Sequence, residues 1–241
     1  MNKESIFESF IVQQYIAHRG FHNETYPENS LGAFQNAIDN NYAIELDVQL
    51  LKDNTVVVFH DDNLKRMTGI DKKINELSYD EIKDIKLANS DEKIPLLEDV
   101  LNLVNGKVLL DIELKCDHEK YKLEDALIEI LKDYTGKIVL KSFDYKTVKY
   151  LKKKTSYKVG LLIKNLEGKN INKFDRYLLK SNLFLKYIKP DFIACDYRIL
   201  DYKNIKRFRT KNPIFTWTIK DKNILEQVKD KADYYLVENI I

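Results

Sequence analysis

Cysteine is scarce in this chain, and its pattern excludes two classes of structure. The 241 residues include only Cys116 and Cys195, and no CxxC pair occurs. A disulfide framework is therefore excluded, and a cysteine-rich zinc centre is disfavoured. The pattern is typical of two reduced thiols in a cytosolic protein.

Long apolar runs are also missing. No segment reaches the ~20 consecutive apolar residues that a membrane-spanning helix needs. The stretch from Met1 to Gln14 carries Glu4 and Glu8 and lacks the continuous apolar core of a signal peptide. We therefore expect a cytoplasmic protein without stable membrane insertion.

The chain has no marked excess of either charge, since 40 lysines and arginines face 38 aspartates and glutamates. This balance gives no reason to propose a nucleic-acid partner or a general membrane affinity. Neither an internal repeat nor a low-complexity linker is visible, and 44% of the residues are apolar. We expect one domain over residues 1–241 with a sizeable core, while the oligomeric state stays open.

Short apolar runs alternate with amphipathic stretches over most of the chain. The runs, read as strands, are 15–18, 43–48, 108–114, 138–143, 159–163, 192–195, 214–219 and 234–237. The amphipathic stretches, read as helices, include 123–131, 147–151, 174–188, 205–208 and 224–228. Alternation of this kind predicts parallel strands, and eight of them predict an α/β fold, the (β/α)8 TIM barrel.

Four further helices are predicted outside this regular pattern. Residues 4–14 have apolar side chains at helical spacing, and Ser30 is placed to cap a helix over 31–38. Residues 62–105 are the least regular region, although Ser78-x-x-Glu81 reads as a capping box and 96–104 reads as a helix. We expect this region to form a small insertion or lid.

The residues with the clearest chemistry lie between positions 16 and 60. Glu45 and Asp47 have the i, i+2 spacing that places two side chains on one face of a strand. Two adjacent carboxylates cannot cheaply stay ionised without a cation, so a hard divalent ion such as Mg²⁺ or Ca²⁺ is predicted there. His18 and His60 each end a short apolar run nearby.

A hairpin is predicted to bring His60 to these carboxylates. Only residues 49–56 separate the two apolar runs, whereas a parallel crossover needs about a dozen residues or more. An antiparallel hairpin centred near Asp53 places His60 level with residues 45–47. Its second arm then stands outside the eight barrel strands.

Active residues of such barrels lie at the carboxyl ends of the strands. Glu113 ends the third barrel strand, and Lys115 follows two residues later on the same face. We therefore expect one rim to hold Glu45, Asp47, Glu113, His18, His60, Arg19 and Lys115. The other histidines and the two lysine clusters are expected at the pocket border or on solvated faces: His22, His118, Lys152–Lys154 and Lys203–Lys211.

The order of these motifs resembles the glycerophosphodiester phosphodiesterase family. The matching residues are His18-Arg19-Gly20, Pro27-Glu28-Asn29-Ser30, Glu45-x-Asp47 and His60-Asp61, followed by Ile94–Glu98, Glu113–Lys115, Ser142-Phe143 and Trp217-Thr218. Each piece alone is a weak signal, but the ordered set is specific. The resemblance covers residues 15–239.

The resemblance implies metal-dependent hydrolysis of a small-molecule glycerophosphodiester to glycerol 3-phosphate and an alcohol. It implies that His18 and His60 form the acid–base pair; we assign His60 as base and His18 as acid, and leave open whether water or a glycerol hydroxyl attacks first. One cation, Mg²⁺ or Ca²⁺, would be held by the carboxylates of Glu45, Asp47 and Glu113. The phosphate would be held by Arg19 and Lys115. Trp217 would line the pocket, although a plain core tryptophan is nearly as good an interpretation.

Two departures from the family pattern stand out. Glu238-Asn239 stands where the family often has aspartate or asparagine followed by a proline, and Asp53-Asn54 replaces the common Asp-Gly. We expect neither to touch the catalytic set. Two alternatives remain: a lysophospholipase D-like hydrolase with an apolar groove near residues 62–105, and a catalytically silent barrel that binds a phosphodiester.

Overall fold

Nine strands form one closed sheet in the computed structural model, which describes residues 14–115, 121–166 and 182–240. In chain order they are β1 (Tyr15–Ala17), β2 (Ala43–Leu50), β3 (Val56–Val58), β4 (Leu110–Leu114), β5 (Ile138–Ser142), β6 (Lys158–Ile163), β7 (Phe192–Asp196), β8 (Ile214–Ile219) and β9 (Tyr234–Val237). All except β3 are parallel, and β1 closes the ring by pairing with both β2 and β9. The predicted eight-stranded barrel is confirmed.

The helices follow the strands as the alternation predicts. Those in the described residues are α1 (Leu31–Asp39), α2 (Lys65–Thr68), α3 (Tyr79–Ile82), α4 (Leu97–Val104), α5 (Lys122–Ile130), α6 (Tyr145–Lys154), α7 (Asn182–Ile188), α8 (Lys203–Arg209) and α9 (Lys222–Val228). None of the helices in these ranges is long and apolar enough to cross a membrane. The predicted helix over 4–14, the first part of 174–188, Cys116 and His118 lie outside the described residues.

Local signals account for where several helices begin. The Ser30 side chain accepts the backbone N–H of Ala33, as expected of a helix cap. Ser78 and Glu81 form the predicted capping box at α3. The helix predicted over 147–151 is longer in the structure, because Asp144 caps its start and Lys152–Lys154 extend it beyond the last buried apolar residue.

Two apolar layers arise from the two-residue period of the strands. Outward side chains such as Leu46, Val48 and Cys195 pack under the helices in the main core. Burial raises the pKa of the Cys195 thiol, which is free. Inward side chains fill the barrel with an aromatic stack of Phe192, Phe215 and Tyr234. Charged residues replace this apolar filling toward the carboxyl ends of β2, β4 and β5.

The hairpin of β2 and β3 has the predicted register. Val48 pairs with Val58 and Leu50 with Val56, so its centre falls at position 53. Beyond it, the peptide N–H of Phe59 donates to the Asp47 carbonyl at 2.9 Å. The next residue, His60, is therefore level with residues 45–47 of β2, as predicted.

The chain between β3 and α4 has a small apolar cluster of its own. It contains α2, a 3-10 turn at Ile74–Glu76 and α3, whose buried side chains pack against the hairpin. The cluster is formed by Leu51, Val57, Phe59, Leu64, Met67, Ile74, Leu77, Ile82, Leu87 and Ile94. The boundaries 62–105 of an insertion within a single 1–241 domain stay a prediction.

Candidate active site

A polar pocket opens at the carboxyl ends of the barrel strands. It is lined by His18, Arg19, Glu45, Asp47, His60, Glu113, Lys115, Lys141, Phe143, Leu162, Trp217, Thr218 and Leu236. Every site residue predicted from the sequence is in this set. The structure thus places all eight around one cavity.

Three carboxylates meet on one side of this pocket. Glu45 and Asp47 project inward from β2, and Glu113 projects from β4, where it is the register partner of Asp47. One oxygen of each lies within 4.8 Å of the other two. All three side chains are buried.

Burial and charge pull the pKa values of this cluster in opposite directions. Burial, together with the charges of Asp47 and Glu45, raises the pKa of Glu113 to about 7 despite the opposing ammonium of Lys115. Burial also opposes ionisation of Asp47, but Lys115, His60 and Arg19 hold its pKa well below its usual range. The Lys115 ammonium contacts both carboxylates, lying 2.9 Å from Asp47 Oδ1.

The donor set fits a hard divalent cation. It offers three carboxylate oxygens and no sulfur, which suits Mg²⁺ or Ca²⁺ better than zinc. Burial and the two neighbouring carboxylates disfavour ionisation of Glu113, and a bound cation would offset that cost. Within the described ranges, no other cluster of three or more potential ligand side chains meets the same distance limit.

His60 lies beside this cluster and is oriented by its neighbour in sequence. Its Nδ1 is 2.6 Å from Asp61 Oδ1, and Arg66 in turn donates to Asp61. Since a carboxylate only accepts, the Nδ1–H of His60 donates and Nε2 is free to accept a proton. Burial lowers the pKa of His60, although Asp47 raises it, so the neutral form prevails at neutral pH.

His18 is oriented by a residue that the sequence placed outside the catalytic set. Its Nδ1 lies 2.9 Å from Glu238 Oε2, just beyond β9, and its Nε2 lies 4.0 Å from Glu45 Oε2. Burial opposes ionisation of Glu238, but hydrogen bonds from His18 and Lys220 lower its pKa to about 2. The expectation that this departure from the family pattern does not touch the proposed catalytic set is therefore wrong.

Closure of the barrel explains the contact. β1 and β9 are adjacent and parallel, with Ala17 level with Val237. The residue that follows β1 is His18 and the residue that follows β9 is Glu238, so the two lie at the same height on the rim. Positions 220 residues apart in the sequence give no local signal of this pairing.

Arg19 reaches the cluster through both its backbone and its side chain. Its backbone N–H donates to Glu45 Oε2 at 3.0 Å, and its guanidinium donates to Glu28 at 2.6 Å. Its Nε lies 3.5 Å from Asp47 Oδ2. Glu28 also accepts from Arg66, so the two arginines share one carboxylate.

Asn29 supports the cluster from the same loop. Its side-chain amide donates to Asp47 Oδ2 at 2.9 Å, and the residue is buried with a left-handed backbone, φ 57°. Asparagine tolerates this conformation and offers a donor at the same time. The sequence marked Glu28 and Asn29 as part of a motif but gave them no role.

A second missed feature adjoins the three carboxylates. Lys141 on β5 and Asp111 on β4 are both fully buried, with Lys141 Nζ 2.7 Å from Asp111 Oδ2. Burial alone would lower the pKa of Lys141, but Asp111 and Glu45 raise it above its ordinary value, so the ammonium is kept. The sequence did offer a signal of this pair, because a lysine at an inward position of a buried strand needs a buried partner of opposite charge.

The wall opposite the charges is apolar. Trp217 on β8 packs edge-on against Phe143, with ring centroids 5.8 Å apart, and Leu162 and Leu236 complete the surface. Phe143 is 43% exposed, so part of its ring faces solvent at the pocket mouth. Trp217 therefore both lines the pocket and packs on the inner core.

Most described residues of the two lysine clusters, Lys152–Lys154 and Lys203–Lys211, lie on outer faces as expected. The Lys152 ammonium forms a half-buried ion pair with Asp191 at 2.7 Å, so it is less solvated than predicted. His22 is partly buried, and burial lowers its pKa; it does not line the pocket.

Fold and pocket together define the class: a (β/α)8 barrel with a buried acidic cluster, flanked by histidines, at the carboxyl ends of its strands. The model of the Glycerophosphoryl diester phosphodiesterase family matches residues 18–240. The chain belongs to that family.

Individual relatives agree with this assignment. A glycerophosphodiester phosphodiesterase of Caldanaerobacter subterraneus subsp. tengcongensis is 35% identical over 159 residues, which are 61% of this chain and 65% of that protein. A human lysophospholipase D is 34% identical over 116 residues, 42% of this chain and 37% of that protein. A crystal structure of a glycerophosphodiester phosphodiesterase from Thermotoga maritima has a TM-score of 0.75 at 28% identity, covering 93% of this chain and 94% of that one. The matches span 58–65% of the length of the first four curated relatives.

Proposed function

We propose that this chain is a metal-dependent glycerophosphodiester phosphodiesterase that releases glycerol 3-phosphate and an alcohol. The observation that carries the proposal is the convergence of two histidines, three carboxylates and two cationic side chains on one pocket. Hydrolysis of a phosphodiester needs a base for the nucleophile, an acid for the leaving alkoxide and positive charge around phosphate. Each need has a candidate residue in the pocket.

His60 acts as the base in this proposal. Its neutral form is favoured by burial, and its Nδ1–H is committed to Asp61, so Nε2 accepts the proton from the attacking hydroxyl or water. Arg66 holds Asp61 in place at 2.6 Å.

His18 acts as the acid. Glu238 accepts its Nδ1–H at 2.9 Å and stabilises the imidazolium, and Nε2 faces the cluster, where it can donate to the leaving oxygen. Arg19 and Lys115 carry the positive charge near the carboxylates that would attract a phosphate. The apolar wall of Phe143 and Trp217 leaves room for the carbon atoms of the substrate.

A bound Mg²⁺ or Ca²⁺, held by Glu45, Asp47 and Glu113, would supply Lewis-acid polarisation of the phosphate oxygens. This chain's own contribution is to keep the three acids together in a buried site. Asn29 and Lys115 hold Asp47 in position from two sides.

One assay tests the proposal. The purified chain is incubated with glycerophosphocholine, glycerophosphoethanolamine and glycerophosphoglycerol in the presence of Mg²⁺, Ca²⁺ or Mn²⁺. We expect glycerol 3-phosphate from at least one of them, detected with a coupled dehydrogenase. Binding of these diesters without any product, with all three metals present, would instead support the catalytically silent barrel.

A lysophospholipase D-like activity is the second candidate. It is supported by the human relative of that name and by the exposed, aromatic Phe143 at the apolar side of the pocket mouth. Rates on lysophosphatidylcholine and on glycerophosphocholine, measured under the same conditions, separate the two. A higher kcat/KM on the acylated substrate would favour this second candidate.

Exchange of the His18 partner gives a sharper test of its role. Glu238→Gln keeps an acceptor for Nδ1–H but removes the negative charge beside the ring. We expect kcat/KM on glycerophosphocholine to fall by about tenfold or more, because Glu238 orients the ring that donates the proton. On a diester with a nitrophenyl leaving group, which needs no proton, the loss should be much smaller. Lys220→Met, which removes the exposed partner of Glu238, is the control and should stay within about threefold of the wild type. Equal losses of Glu238→Gln on both substrates would contradict the assignment of His18 as acid.

A further inference from the structure

Lys141 lies beside the carboxylate cluster, as the register partner of Glu113, at a position where packing alone favours an apolar side chain. Val139, two residues earlier on the same inward face of β5, belongs to the apolar inner core. The Lys141 side chain is fully buried. A buried ammonium is costly unless it is paired, so its presence points to a task other than filling the barrel.

Two carboxylates are its partners. Nζ lies 2.7 Å from Asp111 Oδ2 and 3.2 Å from Glu45 Oε1. The second oxygen of Asp111, Oδ1, is buried and has no hydrogen-bond partner among the described residues. Asp111 thus neutralises the charge of Lys141, and the same ammonium also contacts Glu45.

This contact fixes Glu45 at both of its oxygens. Oε1 faces Lys141, and Oε2 accepts the backbone N–H of Arg19 at 3.0 Å. A glutamate side chain otherwise has several rotatable bonds to order, which lowers the affinity of any site that it helps to form. Strands β2, β4 and β5 are adjacent in the barrel, so the three residues are held on rigid neighbouring elements.

We propose that Lys141 and Asp111 are positioning residues that hold Glu45 in the orientation that binds a divalent cation, a role that rests on the proposed function. The pair is neutral overall, so it orients Glu45 without cancelling the negative charge of the three ligands. Residues that orient metal ligands in this way typically contribute about 10- to 100-fold to metal affinity or activity.

The neutral double variant Asp111→Asn/Lys141→Met tests the proposal. It keeps the net charge and approximate volume of the pair but removes the contact to Glu45. We expect the Kd for Mn²⁺ and for Ca²⁺, measured by calorimetry on the metal-stripped full chain, to rise about tenfold or more. The Tm without metal should stay near that of the wild type, because neutral replacement of a buried ion pair is often tolerated.

Two further variants keep the test decisive. Asp111→Asn alone leaves the ammonium facing Glu45 without its neutralising partner, and it should also raise the Kd about tenfold. Lys152→Met is the matched control, because it removes a lysine from an ion pair of the same 2.7 Å length outside the pocket, and the Kd should not change.

The outcomes separate this inference from the proposed function. A folded double variant with the wild-type Kd overturns the positioning role. If the double variant does not fold, the nearly isosteric Asp111→Asn decides in the same way. A wild-type chain that binds neither cation overturns the cation site itself, and this inference with it.

Discussion

His60→Ala is expected to lower kcat on a glycerophosphodiester by about 10²- to 10⁴-fold, the usual contribution of a positioned acid or base. The structure gives His60 a free Nε2 and favours its neutral form, and His18 is the one other histidine in the described pocket lining. Cation affinity should change little, because His60 is not among the clustered ligands.

His22→Ala is the matched control for this experiment. His22 is a partly buried histidine in the loop after β1 that does not line the pocket. We expect its kcat to stay within about threefold of the wild type, because His22 does not contribute to the described pocket lining. Full activity of His60→Ala would refute the proposed base.

A change of leaving group distinguishes base from acid. A nitrophenyl diester of glycerol phosphate has a leaving group that departs as an anion and needs no proton. His18→Ala should then be strongly impaired on glycerophosphocholine but much less on the activated diester. His60→Ala should be impaired on both, because the nucleophile still has to lose its proton. The reverse pattern would exchange the two roles.

The parts of the site that could be predicted are those encoded locally. The i, i+2 spacing of Glu45 and Asp47 is enough to place both on one strand face, and the short loop at Asp53 fixes the hairpin register. The strand–helix alternation then predicts that Glu113 reaches the same rim. In each case, the position of the residue follows from one segment of sequence and one geometric rule.

The parts that were missed depend on which strands become neighbours. Glu238 meets His18 because β9 closes on β1, and Lys141 on β5 contacts Asp111 diagonally, although its register partner on β4 is Glu113. The sequence shows the order of the strands, but it does not show which inward side chains of neighbouring strands contact each other. Lys141 at an inward position was a visible conflict between pattern and residue type, and such conflicts often mark functional sites.

Removal of divalent cations is the second change with a large expected effect. Chelation, or Asp47→Asn, should lower kcat by about 10²- to 10³-fold, since Lewis-acid stabilisation is worth several kcal/mol. Added Mg²⁺, Ca²⁺ or Mn²⁺ should restore the chelated wild type but not the variant. Glu129→Gln, at an exposed glutamate of α5, is the matched control and should behave as the wild type.

Cation binding should also depend on pH in a defined direction. Burial and neighbouring carboxylates raise the pKa of Glu113 to about 7, so this ligand is largely protonated in acid and must lose a proton when a cation binds. The apparent affinity should therefore fall by up to about tenfold per pH unit below pH 7, and it should level off above that value. Calorimetry in buffers of different ionisation enthalpy would measure the released proton directly.

Glu113→Gln identifies the source of that proton. The variant cannot release it, so its cation affinity should be weaker at pH 8 but flatter between pH 6 and 8 than that of the wild type. A wild-type affinity that is already independent of pH across this range would show that Glu113 is ionised before the cation arrives. The acids would then be held together by Lys115 and Lys141 alone, and the electrostatic argument for a cation at this cluster would lose its main support.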